Sequence, residues 1–447
     1  MNENEIIRYR NYCQLRKEIR GSSTHLIVGI DVAKDKHRAF FGTARGETLL
    51  KRLIFTNDLS GYQKLQSHTK TIQRQNGLDT IVFGLEPTGN YHKPLANWII
   101  SQGHMIVLVG GKAVKDNREL LDGRWDKNDT KDSANVADLI SQGKCQFYEY
   151  PDQKIQELRN LLSLRKRLKK QEHSLRMRIR NSLLCKYFPE MDRYWGSSLE
   201  ENLRIVRYCL DPRKITAMQF REFVTLVTST DRGARQLKRL QSIYDAAICS
   251  IGLPVGPATN FEACVLSDKL KEVRRRIDQT MKQIEGMARK FESYSLLRTI
   301  PGFGPYIAAL VLGTIGNPSR FGNSKQVIRL AGLDLNAKRS GMNSNYAVPV
   351  ISKKGNASLR YGLYQAAVIA TYHNDDFRRL FNRMLEGRER ERGIRTKMRV
   401  KLAVKMLVIA WTLMKKEERF TPLFLKVANT VSSETELGSA GEQPNKG

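Results

Sequence analysis

The sequence predicts an α/β domain at the N-terminus followed by a mostly helical remainder, an α/β plus α chain. Two observations carry this. Apolar runs of strand length are concentrated before residue 110, and beyond Pro151 the apolar residues recur at helical spacing instead. The length, 447 residues, suits about three folded units at roughly 150 residues each.

The elements follow in order. Residues 1–24 are a polar lead-in. His25-Leu26-Ile27-Val28-Gly29-Ile30-Asp31-Val32 reads as a buried strand, and residues 37–44 and 48–55 alternate as two more. A helix is expected over 58–74, a strand over Thr80-Ile81-Val82-Phe83-Gly84-Leu85-Glu86, a helix near 90–102, a strand over Met105-Ile106-Val107-Leu108-Val109 and a helix over 130–141. Three adjacent strands followed by alternating helix and strand is the order of a ribonuclease-H-like mixed sheet, placed here at 25–150. Residues 151–294 form a helical middle. Within it, 154–184 and 268–292 are amphipathic helices expected to lie alongside each other, as a hairpin or a coiled coil. A third unit is expected over 295–428, and the tail 429–447 lacks an apolar pattern and is expected to be disordered.

Charge points to the partner. Lys and Arg number 76 against 45 Asp and Glu, a net of +31. Such a chain repels itself unless a polyanion shares the charge, so nucleic acid is the expected partner. The charge is spread over the whole length, which disfavours a membrane-surface protein, and no apolar run reaches the roughly 18 residues of a membrane-spanning helix. No secretory signal opens the chain, and no cysteine pair has the spacing of a zinc site. The expected location is the cytoplasm. The densest basic stretch is 154–180, with ten basic and two acidic residues. Arg165, Lys166, Arg167, Lys169 and Lys170 are its candidate phosphate contacts.

Four acids stand at positions suited to chemistry. Asp31 and Glu86 end two strands, and Asp129 and Asp132, three apart at a helix start, share one helix face. Strand ends and a helix can converge on one sheet edge, where carboxylates offer hard oxygen ligands to Mg²⁺. Two such ions could clamp the attacking and leaving oxygens of a phosphodiester. Taken singly, each acid is equally well a helix-start or strand-end polar residue.

Further along, Leu297-Arg298-Thr299-Ile300-Pro301-Gly302-Phe303-Gly304-Pro305-Tyr306 reads as helix, tight turn and helix. Gly302 and Gly304 would let backbone amides approach a phosphate, as in a helix-hairpin-helix element, or would simply form a turn between packed helices. Lys338-Arg339-Ser340-Gly341 and Ser352-Lys353-Lys354-Gly355 are basic, Gly-containing turns. Lys338, Arg339, Lys353 and Lys354 are candidate nucleic-acid contacts there.

Three motifs together, Gly29-Ile30-Asp31-Val32-Ala33-Lys34, Glu86-Pro87-Thr88-Gly89-Asn90-Tyr91 and Lys127-Asn128-Asp129-Thr130-Lys131-Asp132, resemble the Asp-Glu-Asp-Asp transposases of the IS110 insertion-sequence family, which includes the Piv-type DNA invertases. The turns after Phe321 resemble that family's C-terminal transposase domain. The resemblance implies a RuvC-like first domain whose metal-binding acids match Asp31, Glu86, Asp129 and Asp132. It also implies a serine nucleophile matching Ser340, with Ser344, Ser352 and Ser358 as neighbouring alternatives. It further implies Mg²⁺ as cofactor, donor and target DNA as substrates, a structured bridge RNA as guide and a homo-oligomer, dimer or tetramer, in a prokaryotic, nucleoid-associated setting. Gly110-Gly111 departs from the usual Asn-Pro pair, and the stretch 195–265 is extra relative to typical members. Two other readings use the same residues differently. A RuvC-like junction nuclease would employ the acids with water and no serine. A non-catalytic nucleic-acid-binding protein would need neither.

Overall fold

The computed structural model describes residues 3–122, 129–196, 200–228, 233–336 and 350–427. The tail 429–447, Ser340, Ser344, Lys338 and Arg339 lie outside these residues, as does the side chain of Asp129. The chain packs as two units, residues 1–152 and 153–447.

The first unit is a six-stranded mixed sheet with helices on both faces. Its strands are β1 (His25–Asp31), β2 (Lys36–Thr43), β3 (Thr48–Thr56), β4 (Thr80–Leu85), β5 (Met105–Leu108) and β6 (Gln146–Phe147), in the order β3-β2-β1-β4-β5-β6. β1, β2 and β3 form an antiparallel meander, and β4 and β5 continue parallel to β1. This is the ribonuclease-H-like arrangement. The polar lead-in contains α1 (Glu3–Glu18), which buries Tyr12 and Leu15; the Tyr12 hydroxyl donates to the Cys145 carbonyl at 2.7 Å. α2 (Leu59–Gln75) and α3 (His92–Ser101) cover one face of the sheet through Leu65, Leu95 and Ile99. α4 (Gly111–Asp122) and α5 (Asp129–Ser141) join α1 on the other face, around Ile27, Val82, Val107 and Ile140. Sequence patterning does not foresee α4. The residues 110–122 have few apolar positions, and Val114 anchors the helix start in that core.

Two glycines decide how closely α5 sits. Gly29 and Gly84 are partners in the β1–β4 register. A Cβ on Gly29 would lie 2.2 Å from the Ser133 carbonyl oxygen and 2.7 Å from the Ala137 amide nitrogen, and one on Gly84 would lie 2.0 Å from Ile140 Cδ1. The helix backbone therefore rests on a strip of sheet without side chains. Gly29→Val is expected to destabilise the unit by about 3 kcal/mol, the overpacking range, and to lift α5 off the sheet. A lowered Tm with lost activity is the expected readout; an unchanged Tm would show that α5 can shift without cost.

The second unit starts with α6 (Gln153–Arg178), which runs through one π turn (Ile179–Leu184) into α7 (Cys185–Tyr187). Four short helices, α8 (Glu200–Tyr208), α9 (Pro212–Thr216), α10 (Phe220–Val227) and α11 (Ala234–Ile248), build a small cluster. Its own core contains Phe188, Val206, Phe223 and Ile243 together with Ile179 and Leu266. The extra stretch 195–265 is thus a helical cap at one end of a hairpin. The return arm is α12 (Pro257–Ala288), which begins eleven residues earlier than its apolar periodicity implies because Gly256 caps it and Pro257 fits its first turn. It packs antiparallel to α6: Arg274 pairs with Glu172, and Ile284 and Ala288 share a core with Ile155 and Leu158.

Then come α13 (Glu292–Leu297), α14 (Pro305–Ile315), α15 (Ser324–Ala331), the two-residue strands β7 (Leu335–Asn336) and β8 (Val350–Ile351), α16 (Ala357–His373), α17 (Asp375–Leu385), α18 (Ile394–Lys416) and α19 (Leu423–Val427). α14 is buried nearly all round and forms the centre of this part. Among the described residues, no helix is long and apolar enough to cross a membrane.

Candidate active site and nucleic-acid interface

Asp31, Glu86 and Asp132 are placed toward the C-terminal edge of the parallel strands. Asp31 and Glu86 directly follow Ile30 and Leu85, which are partners in register on adjacent strands roughly 4.8 Å apart. Side chains alternate along a strand, so Asp31 and Glu86 face the same side as Gly29 and Gly84, the side that carries α5. α5 starts at Asp129, and its first turn brings Asp132, 5% exposed, onto that edge. The Glu86 carboxylate also lies by α4: a Cβ on Gly111 would come within 2.6 Å of its Oε1. Gly111 therefore leaves room for that carboxylate where a larger residue would crowd it. Among the described residues, no three acidic, His or Cys side chains stand close enough to hold a metal ion.

Two features of this edge have no signal in the sequence pattern. Arg38 stands opposite Asp31 in the β1–β2 register and pairs with it at 3.8 Å, the two side chains being about a quarter exposed. A guanidinium there can partly offset the acid's charge and attract a phosphate. The second is a buried amide network that locks α4 to α5. Asn117 Nδ2 donates to Asn135 Oδ1 and to Asp138 Oδ2, both at 2.7 Å, and Asn135 Nδ2 donates to the Val114 carbonyl at 2.7 Å. Buried polar groups satisfied in this way define a single seat for the helix that carries Asp132. Arg38 is found only through strand pairing, and the amides only through helix packing.

In the second unit, the basic residues of α6 divide by environment. Lys166, Arg167, Lys169 and Lys170 are exposed. Arg165 is half-buried and stacks its guanidinium 3.7 Å from the centroid of the Tyr306 ring. Tyr306 is the second residue of α14, so Arg165 and the Gly302–Gly304 turn are brought together. Lys169 also pairs with Glu172 at 2.5 Å. Burial alone would raise the Glu172 pKa, but hydrogen bonds from Lys169 and Arg274 outweigh it and hold the carboxyl below its usual value. Replacing the exposed cations Lys166, Arg167 and Lys170 with Ala should flatten the dependence of log affinity on log salt by roughly 0.9 for each duplex phosphate they neutralise. An unchanged slope would place them on a solvated face.

Gly302, with φ +86°, sits where a Cβ would lie 2.3 Å from the Ala366 carbonyl oxygen of α16, so its smallness serves packing. Gly304 caps α14 and faces open space. Lys353 and Lys354 are exposed on a pinned turn. The Ser352 hydroxyl donates to Asp334 at 2.6 Å, the Lys353 amide donates to the Gly332 carbonyl at 3.0 Å, and Lys353 itself takes φ +56°. Ser352 is thereby occupied in holding the turn. Ser358 lies at the α16 N-terminus, where its amide donates to Asn356.

Residues 28–189 match a transposase model of the DEDD type found in IS110 elements, and residues 294–382 match the model of the transposase IS116/IS110/IS902 family. The chain belongs to the IS110 family of transposases. The first match spans the four acids, and the second spans Ser340. Full-length similarity agrees. An IS116 insertion-element protein of Streptomyces clavuligerus is 22% identical over 402 residues, 88% of this chain and 96% of that protein. The pilin gene-inverting proteins of Moraxella lacunata and Moraxella bovis are 24% and 23% identical over 397 residues, 88% of this chain and 97% of each. The transposase is accordingly an enzyme of DNA recombination, acting on DNA.

Proposed function

We propose that this transposase breaks and rejoins DNA through a phosphoserine intermediate at Ser340, assisted by Mg²⁺ held by Asp31, Glu86, Asp129 and Asp132. The observation that carries the metal half is that Asp31 and Glu86 directly follow registered partners on adjacent parallel strands, with the α5 turn of Asp132 seated on the same face by Gly29 and Gly84. These are all-oxygen, hard donors, the set that suits Mg²⁺. When bound, the cation would supply charge stabilisation for the phosphate and for the leaving oxygen. Arg38 would draw the phosphate toward this edge. Support for the serine half is the family match over 294–382, which includes Lys338-Arg339-Ser340-Gly341.

In the first step the Ser340 oxygen attacks phosphorus, its proton passes to a base, and the bond to the 3′ oxygen breaks, leaving a 3′ hydroxyl. In the second, a 3′ hydroxyl of the other strand attacks the same phosphorus, and the serine oxygen leaves and regains a proton. One phosphodiester is exchanged for another, so no outside energy source is needed. A structured bridge RNA and a homo-oligomer, dimer or tetramer, complete the proposal. The exposed cations of α6 and the net charge of +31 favour polyanion binding. Exchange by the wild-type protein should stop in EDTA and resume on addition of Mg²⁺. Exchange that continues under chelation would overturn the metal half.

A further inference from the structure

α16 carries an exposed aromatic stripe that the mechanism does not use. Its buried face, through Leu359, Leu363, Ala366 and Ala370, packs into the core of the second unit. The opposite face holds Tyr361, Tyr364, Val368 and Tyr372, at spacings of three, four and four residues, which is one side of a helix. Tyr361 is 67% exposed and Tyr372 64%. From Tyr361 to Tyr372 the stripe is about 16 Å long at 1.5 Å rise per residue.

Cations bracket it. Lys353 and Lys354 stand exposed on the pinned turn that leads into the helix. At the other end, Arg399 of α18 donates to the Tyr372 hydroxyl at 3.3 Å, with its guanidinium 5.6 Å from the ring centroid. The acids closest in sequence are engaged: Asp334 accepts from Ser352, and Asp375 and Asp376 pair with Arg378 and Arg379.

Exposed flat rings flanked by positive charges match a polyanion whose bases are free to stack. We propose that this face of α16 is a stacking platform for unpaired nucleotides, with Lys353, Lys354 and Arg399 contacting the flanking phosphates. Duplex bases are already stacked on one another and cannot use such rings, so the ligand is single-stranded. Aromatic stacking is indifferent to base identity, and the platform would grip a strand without reading it. The proposal rests on the reading of the chain as a nucleic-acid enzyme and adds the class of strand this surface takes.

The test uses the full-length protein with short oligo-uridine and oligo-thymidine strands carrying 5-iodouracil, and with a duplex control. Irradiation should crosslink the strands to the peptide containing Tyr361 and Tyr372. Tyr361→Ala combined with Tyr372→Ala should weaken single-strand affinity by about tenfold or more while leaving duplex affinity unchanged. The paired Tyr→Phe variant should bind as wild type, since it keeps both rings. A larger loss with uridine marks RNA as the natural source, and a larger loss with thymidine marks a displaced DNA strand. Crosslinks found wholly outside α16, or wild-type affinity in the Ala variant, would overturn the platform. So would a Phe variant as weak as the Ala variant. A wild-type protein that binds neither single strands nor duplex would instead defeat the nucleic-acid reading itself.

Discussion

Ser340→Ala is expected to abolish covalent attachment of the transposase to DNA and to lower strand exchange by several orders of magnitude, with DNA binding retained. A nucleophile that forms a covalent intermediate divides one difficult exchange into two easier steps, and its removal leaves no equivalent route. The loss should fall on the chemical step, because a serine methylene and hydroxyl contribute little to a binding surface built from lysine and arginine. A suicide substrate nicked near the crossover should trap a protein–DNA adduct that survives denaturation and maps to the peptide containing Ser340. Cleavage at the normal rate in Ser340→Ala would make water the nucleophile and favour the junction-nuclease reading. An adduct that persists in the variant would move the role to another side chain, with Ser344 the first to examine. Ser352 is a weaker alternative because its hydroxyl already holds Asp334.

Asp31→Asn, Glu86→Gln, Asp129→Asn and Asp132→Asn should each reduce strand exchange by roughly a hundred- to a thousandfold, the scale of losing one preorganised electrostatic element. Each substitution keeps the size and removes the charge that a hard cation needs. Asp31 and Glu86 are only partly buried, so their variants should stay folded with little change in Tm. Asp31→Asn also releases Arg38 from its partner, which should leave DNA affinity equal or higher while exchange falls. That divergence between binding and chemistry separates a catalytic acid from a structural one. Full activity in any two of the four variants would defeat the metal-site reading.

The four acids of the proposed site were legible as candidates because each sits where a local pattern breaks. The apolar run from Leu26 to Ile30 ends in Asp31, the run from Ile81 to Leu85 ends in Glu86, and Asp129 and Asp132 stand three apart where helical spacing begins. Strand alternation and helical spacing are local properties, so the order of elements and the mixed sheet could be read from them. Short or sparsely apolar helices could not. α4 has few apolar positions, and the cap helices α8 to α11 could be read only as an irregular helical stretch, because their stability comes from neighbours distant in sequence.

By itself, then, the sequence determined a basic, nucleic-acid-directed chain with an α/β domain, its four acids and a helical remainder. Only the tertiary structure decided that Asp31 and Glu86 directly follow partners in register, that Gly29 and Gly84 let α5 bring Asp132 to the same edge, and that Arg38 pairs with Asp31. It likewise decided that Gly302 serves a close approach to α16, that Arg165 stacks on Tyr306, and that Tyr361 and Tyr372 stand exposed on one face of α16 flanked by cations. The reason is physical: strand register and helix seating are set by contacts between residues tens of positions apart, and no local periodicity encodes which distant backbone a glycine leaves room for.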